Sequence, residues 1–93
     1  MNIPNEVRSF FDEDGRLKQW PAKYSKKLLA LEILAEKFET GRKYTEIEIN
    51  AILNASHTYN DPVSLRRSLI EMGVLARTQD GKEYWKSEKE VKS

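Results

Sequence analysis

The sequence predicts an α+β domain, mainly α, in which a helical and extended N-terminal arm precedes a helix, a short strand, two further helices and a β-hairpin. Three observations carry this prediction: an apolar helical pattern over residues 26–38, two helix-start motifs after residue 44, and an Asp-Gly turn between β-prone runs near the end of the chain. The 93 residues are enough for one domain. We expect that domain to cover residues 1–86, with the arm at 1–24 and a disordered tail at 87–93.

The arm combines a short helix with an extended segment. Val7, Phe10 and Phe11 have the i, i+3, i+4 spacing of one helical face. Residues 16–20 are predicted to be extended, because Trp20 precedes a proline and is pushed out of the α region.

The first long helix is predicted over Lys26–Phe38, with Ser25 as its N-cap. One broad stripe contains Leu28, Leu31, Leu34, Ala35 and Phe38, while Leu29 and Ile33 lie on another side. A helix that is apolar over most of its circumference is buried on more than one side. The second side is covered either by the aromatic residues of the arm, including Trp20, or by a second copy of the chain.

Two further helices have clear starts. Thr45 and Glu48 form a capping box, in which each side chain bonds the backbone N–H of the other residue, and the helix extends to about residue 55. Asp61 is an N-cap followed by Pro62 at the first helical position, and Gly73 is expected to end that helix in a left-handed conformation.

The β elements complete a recognisable order. Residues 42–44 are long enough for a short strand, and residues 74–78 and 82–86 flank a Gln-Asp-Gly turn that predicts a hairpin. The succession of helix, short strand, two helices and hairpin is that of a winged helix-turn-helix domain, in which the hairpin is the wing.

Three segments also resemble a known bacterial family, domain-of-unknown-function family 2087. They read GRLKQWPAK, LAEKFETGRKYTEIEINAIL and LRRSLIEMGVLARTQDGKEYWK, and the similarity extends from about Phe10 to Lys86. Some members carry the domain behind a regulator-type helix-turn-helix domain, so the resemblance implies a link to transcription. It implies no activity and no site residues. The polar positions shared with the family pattern include Trp20, Lys23, Tyr44, Thr45, Glu46, Glu48, Asn50, Arg66, Arg67 and Trp85.

The composition argues against several classes of protein. The absence of cysteine excludes disulfides and thiolate metal sites. The first residues lack the features of a signal peptide, and no apolar run approaches the roughly 18 residues of a membrane span, so we expect a cytoplasmic protein without a membrane partner. His57 is the only histidine and catalytic motifs are lacking, so we expect no enzyme, cofactor or metal. We expect His57 to contact carbonyl groups or solvent near a helix end.

The helix that starts at Pro62 occupies the position of a recognition helix. Its core stripe contains Leu65, Leu69 and Met72. At 100° per residue, the opposite side holds Val63, Arg67 and Glu71, with Ser64 beside it. On that side Val63, Ser64 and Arg67 are the predicted contacts to the major groove of DNA. Arg66 lies nearer the core edge and is expected to meet a carboxylate of the preceding helix, Glu46 or Glu48. Arg66 is therefore interpreted as structural, together with the Thr45 cap, while Arg67 is either a DNA contact or structural.

The charges around this helix predict weak binding at most. The preceding helix has no basic residue and begins with Glu46 and Glu48, which repel phosphate. If Arg42, Lys43, Arg67 and Lys82 all contacted phosphate, log affinity would fall with log salt at a slope of roughly −3.6.

The densest basic stretch lies elsewhere, at residues 16–27. It contains five basic residues and no acidic one. Lys23, Lys26 and Lys27 surround a helix N-terminus, where free N–H groups favour an anion such as a phosphate. The alternative interpretation is a solvated lysine run with Trp20 in the core.

Two functions remain open from the sequence. The leading hypothesis is weak binding of duplex DNA by a transcription-related module. The alternative is a dimerisation or docking module without nucleic acid, a homodimer or a partner regulatory protein, with Leu29, Ile33 and Trp20 at the interface.

Overall fold

The computed structural model describes residues 3–87. In that range the chain forms a 3-10 turn at Arg8–Phe10 and three α-helices. The helices are α1 at Tyr24–Ala35, α2 at Glu46–Asn54 and α3 at Pro62–Glu71. One antiparallel sheet has the strand order β1-β3-β2, with β1 at Lys43–Tyr44, β2 at Leu75–Arg77 and β3 at Tyr84–Lys86. The predicted α+β class is confirmed. None of the helices in this range is long and apolar enough to cross a membrane.

The N-terminal arm is part of the hydrophobic core. Val7 and Leu17 are fully buried, and Phe11 is 4% exposed. Phe11 pairs with Leu17 in an antiparallel bridge, and Leu17 pairs in turn with His57. The amide of Leu17 donates to the carbonyl of Ser56 at 2.9 Å. Backbone hydrogen bonds therefore tie the arm to the segment between α2 and α3.

Helix α1 begins earlier than the predicted Lys26. The residue before it is Lys23, which makes no side-chain capping bond, so the prediction that Ser25 caps the helix is wrong. The amide of Lys27 donates to the carbonyl of Lys23 at 2.9 Å, so the chain is helical from Tyr24 onward.

The helix also ends before the predicted Phe38. Beyond Ala35 the amides bond carbonyls three residues back, including Phe38 to Ala35 at 3.0 Å, which tightens the chain into turns. Phe38 then packs edge-on against Tyr44 of β1, with 5.4 Å between the ring centroids. The chain therefore leaves the α-helical conformation where Phe38 packs against the sheet.

The second apolar side of α1 is covered from within the chain. Ile33 is 6% exposed. The rings of Phe10 and Trp20, both in the arm, lie beside the first turns of α1, with the Nζ atoms of Lys26 and Lys27 each 6.0 Å from a ring centroid. The arm, one of the two covers that the sequence left open, is therefore in contact with the helix.

Helices α2 and α3 begin as predicted. The amide of Thr45 donates to the carboxylate of Glu48 at 2.8 Å, and the amide of Glu48 donates to the Thr45 hydroxyl at 3.2 Å. Asp61 accepts a hydrogen bond from the amide of Ser64 at 3.2 Å, with Pro62 at the first helical position. Both predicted caps are therefore confirmed.

The end of α3 connects directly to the hairpin. Gly73 has a φ of 79°, the left-handed conformation predicted for a glycine that ends a helix. Arg77 and Tyr84 face each other at the hairpin end of the sheet. The amide of Ser87 donates to the carbonyl of Val74 at 3.0 Å, so Ser87 continues the pairing, and the rest of the predicted tail lies outside the described residues.

Candidate nucleic-acid interface

His57 fastens the corner between α2 and α3. Its side chain is buried, with Nδ1 at 2.6 Å from the carbonyl oxygen of Leu53 and Nε2 accepting from the amide of Asp61 at 2.7 Å. Because Nε2 accepts, Nδ1 carries the proton and donates to Leu53. The predicted contact with a carbonyl near a helix end is confirmed. The His57 ring lies edge-on to the ring of Tyr59. Burial raises the pKa of Tyr59 to about 12, and the Asp61 carboxylate adds a smaller effect in the same direction.

Arg66 is held against α2. Its Nη1 donates to Oδ1 of Asn50 at 2.6 Å and lies 3.9 Å from a carboxylate oxygen of Glu46. Glu46 also accepts a hydrogen bond from the hydroxyl of Tyr84 on β3 at 3.3 Å. The predicted contact of Arg66 with an α2 carboxylate is present. The shorter bond to Asn50 was not predicted, because an amide gives no charge pattern in the sequence.

The outward face of α3 carries the three residues predicted to face DNA. Val63 is 45% exposed, and Ser64 and Arg67 are also exposed. Within residues 3–87, the side chain of Arg67 makes no hydrogen bond and no ion pair. Its guanidinium group is therefore accessible to a ligand.

Asp80 organises the turn of the β2–β3 hairpin. Its carboxylate accepts from the hydroxyl of Thr78 at 2.7 Å and from the amide of Lys82 at 3.0 Å, and these bonds hold the pKa of Asp80 below its ordinary value. The Nη1 atom of Arg77 donates to the carbonyls of Thr78 and Gln79 at 3.2 and 3.3 Å. The exposed Lys82, predicted as a DNA contact, follows this turn.

A cleft of about 510 Å³ lies between α3 and the hairpin. Its walls include Arg66 and Arg67 from α3, Arg77 from β2, and Gly81 and Tyr84 from the hairpin. The sequence pointed to the two α3 arginines but not to Arg77. The only local indication was its position just before the predicted turn, because the approach of β2 to α3 is a tertiary contact.

Arg42 and Lys43, both predicted as phosphate contacts, lie beside carboxylates. Arg42 is 3.7 Å from Glu39 and 3.9 Å from Glu48, and Lys43 is 3.7 Å from Glu83. Exposed pairs of this kind add little stability. They do offset the positive charge that the two residues present to a phosphate.

The basic segment at residues 16–27 is not one free patch. Nε of Arg16 lies 3.0 Å from the carboxylate of Asp12, and the hydrogen bond from the Arg16 amide leads the effects that lower the pKa of Asp12. Lys23 is exposed at the start of α1, while Lys26 and Lys27 are half-buried against aromatic rings of the arm. The three lysines that the sequence grouped together therefore differ in accessibility.

The three residues predicted as a protein interface belong largely to the core of the chain. Ile33 is buried, and Leu29 and Trp20 are partly buried against the same core. Ile33 therefore has little surface accessible in this chain. The most exposed large apolar side chain among the described residues is Ile47 of α2, at 81%.

Comparison with known proteins gives one match. No curated protein and no solved structure matches the sequence. A family model matches residues 16–86, which is well over half of the chain and includes all three helices and the sheet. The chain therefore belongs to the bacterial family described as "uncharacterized protein conserved in bacteria" (DUF2087), the family that its sequence motifs resemble.

Proposed function

We propose that this chain is a winged helix-turn-helix domain that binds duplex DNA weakly through α3 and the β2–β3 hairpin, as a cytoplasmic, transcription-related module and not an enzyme. The observation that carries the proposal is Arg67. It is exposed on the outward face of α3, and no residue of the described chain pairs with it. Its neighbour Arg66, in contrast, is occupied by α2.

The order of the elements supports this proposal. α2 and α3 contact each other, and β2 contacts both α3 and β3, so the hairpin lies beside α3. In helix-turn-helix proteins the second helix of the pair enters the major groove and its N-terminal residues contact base edges. Val63, Ser64 and Arg67 occupy that part of α3. An arginine there can bind the O6 and N7 atoms of guanine or a phosphate.

The surrounding charges set the strength of the proposed binding. Arg42 and Lys43 lie beside carboxylates, which leaves Arg67, Arg77 and Lys82 as the exposed basic residues of this face for the phosphates of a duplex. Three phosphate contacts give a salt slope of about −2.7 in place of the −3.6 expected for four. A slope of this size is typical of weak binding without sequence specificity.

The proposal is tested by titrating a fluorescently labelled random duplex and recording its anisotropy across a salt series. We expect dissociation constants on the order of 10⁻⁶ to 10⁻⁴ M for the wild type. Arg67→Ala should weaken binding and reduce the slope by about 0.9, because one phosphate contact is lost.

Lys37→Ala is the matched control. It removes the same charge from an exposed residue that follows α1 and does not line the cleft. Equal losses in the two variants would contradict a role for α3, and a wild type that does not bind at low salt would refute DNA binding.

A docking module without nucleic acid is the second candidate. The arm covers the side of α1 that first pointed to a dimer, but Ile47 of α2 is 81% exposed between two glutamates. A large apolar side chain in that position suits a partner protein with an apolar pocket and basic rim. Light scattering of the wild type and of Ile47→Glu tests self-association. A monomeric mass for both at high concentration would refute a homodimer through α2.

A further inference from the structure

We propose that the cleft between α3 and the β2–β3 hairpin binds a phosphate group. The phosphate can belong to the backbone of DNA or to a small phosphate monoester, because the cleft recognises the chemistry that both share. The inference goes beyond the DNA binding proposed above and does not rest on it.

The positively charged groups that line the cleft are the guanidinium groups of Arg66, Arg67 and Arg77. Each guanidinium has five N–H donors in a planar fork that matches the oxygens of a phosphate. Arg66 and Arg77 bind their protein partners through Nη1, so both groups are held in place while Nε and Nη2 make no hydrogen bond among the described residues. Arg67 has all of its donors free within that range. Two fixed arginines and one free arginine therefore point to a tetrahedral anion with several terminal oxygens.

The acidic residues of the cleft are mostly engaged in hydrogen bonds. Glu46 accepts from the Tyr84 hydroxyl and lies near Arg66, and Asp80 accepts from two groups of its own turn. Glu71 is different, because it is exposed and makes no ion pair with any described residue. Its charge opposes an anion in the cleft. Removal of the Glu71 charge should therefore strengthen phosphate binding, the opposite of the effect expected when an arginine is removed.

The cleft has room for more than the phosphate itself. Its volume of about 510 Å³ falls within the range of small-molecule pockets, roughly 300–1,000 Å³, so it admits a phosphate together with the sugar that carries it. Gly81, which has a φ of 74°, forms part of one wall. A Cβ atom at residue 81 would lie 3.8 Å from Nη1 of Arg77 and 4.0 Å from the hydroxyl of Tyr84, so a longer side chain would extend into the space beside both groups.

The experiment follows the arginine Nε–H signals of the 15N-labelled full chain by NMR during two titrations. One titration uses inorganic phosphate against chloride at equal ionic strength, and the other uses a random-sequence duplex. We expect saturable shifts at Arg67 and Arg77. Arg67→Gln and Arg77→Gln should each weaken binding roughly tenfold, the effect of one lost charge-assisted hydrogen bond. Arg42→Gln removes the same charge outside the cleft and should leave binding nearly unchanged, and Glu71→Gln should strengthen it.

The two titrations distinguish the source of the phosphate. Saturation by inorganic phosphate with no response to the duplex supports a small phosphate ester as ligand and refutes the proposed DNA binding. Saturation of the same signals by the duplex supports a backbone phosphate. If neither titration saturates, or if the Arg42 and Arg77 variants weaken binding equally, the phosphate site is refuted.

Discussion

Replacement of His57 by alanine should reduce the free energy of unfolding by about 1.5–4.5 kcal/mol. The amide of Asp61 loses its acceptor at 2.7 Å, and leaving such a group unpaired costs about 1–3 kcal/mol. The edge-on contact with Tyr59 adds about 0.5–1.5 kcal/mol. The carbonyl of Leu53 contributes little, because it still accepts from the amide of Ser56 at 3.0 Å.

Urea denaturation followed by circular dichroism measures this loss. A 93-residue domain has a stability of roughly 5–14 kcal/mol, so the variant should still fold, with an unchanged dependence on urea. Thr58→Ala is the control, because Thr58 is the exposed neighbour of His57 and should change stability by less than about 0.5 kcal/mol. A loss below about 1 kcal/mol for His57→Ala would show that the Asp61 amide finds another partner, and the reasoning would be wrong.

Three further predictions follow from named contacts. Phe11→Ala should lower the free energy of unfolding, measured in urea, by about 3–5 kcal/mol, because Phe11 is only 4% exposed. Phe11 precedes the residues that match the family, so a loss near zero would show that the arm does not belong to the core. Arg66→Ala should lower the free energy of unfolding by about 1–3 kcal/mol, measured by thermal melting, because Asn50 and Glu46 of α2 lose their partner. Arg67→Ala should change it by less than about 0.5 kcal/mol. Equal losses in the two variants would contradict a structural role for Arg66 alone. Because burial raises the pKa of Tyr59 from 10.0 to about 12, the stability due to its protonated phenol should be present below pH 10.0 and lost as the pH rises through about 12. An ultraviolet titration compared with Tyr59→Phe measures this pKa, and ionisation near 10.0 would contradict it.

The starts of α2 and α3 and the turn of the hairpin were predictable from residue order. Their hydrogen bonds join residues at most five positions apart, as between Thr45 and Glu48, between Asp61 and Ser64, or between Asp80 and Lys82. Local bonds of this kind depend on residue type and spacing, which the sequence states directly. The placement of Arg67 on the outward side of α3 follows in the same way from the helical period.

The features that carry the candidate site depend instead on packing between distant segments. Arg77 reaches the cleft because β2 lies against α3, and Arg66 is fixed by Asn50, sixteen positions earlier in the chain. Leu17 pairs with His57 across forty residues, and aromatic rings of the arm lie beside the first turns of α1. Such contacts form where apolar surfaces of distant segments pack together and exclude water. Because the hydrophobic effect is non-directional, the residue pattern of one segment does not show which other segment it packs against. The residue order therefore shows which side chains are available, and the packed chain decides which of them share one cleft.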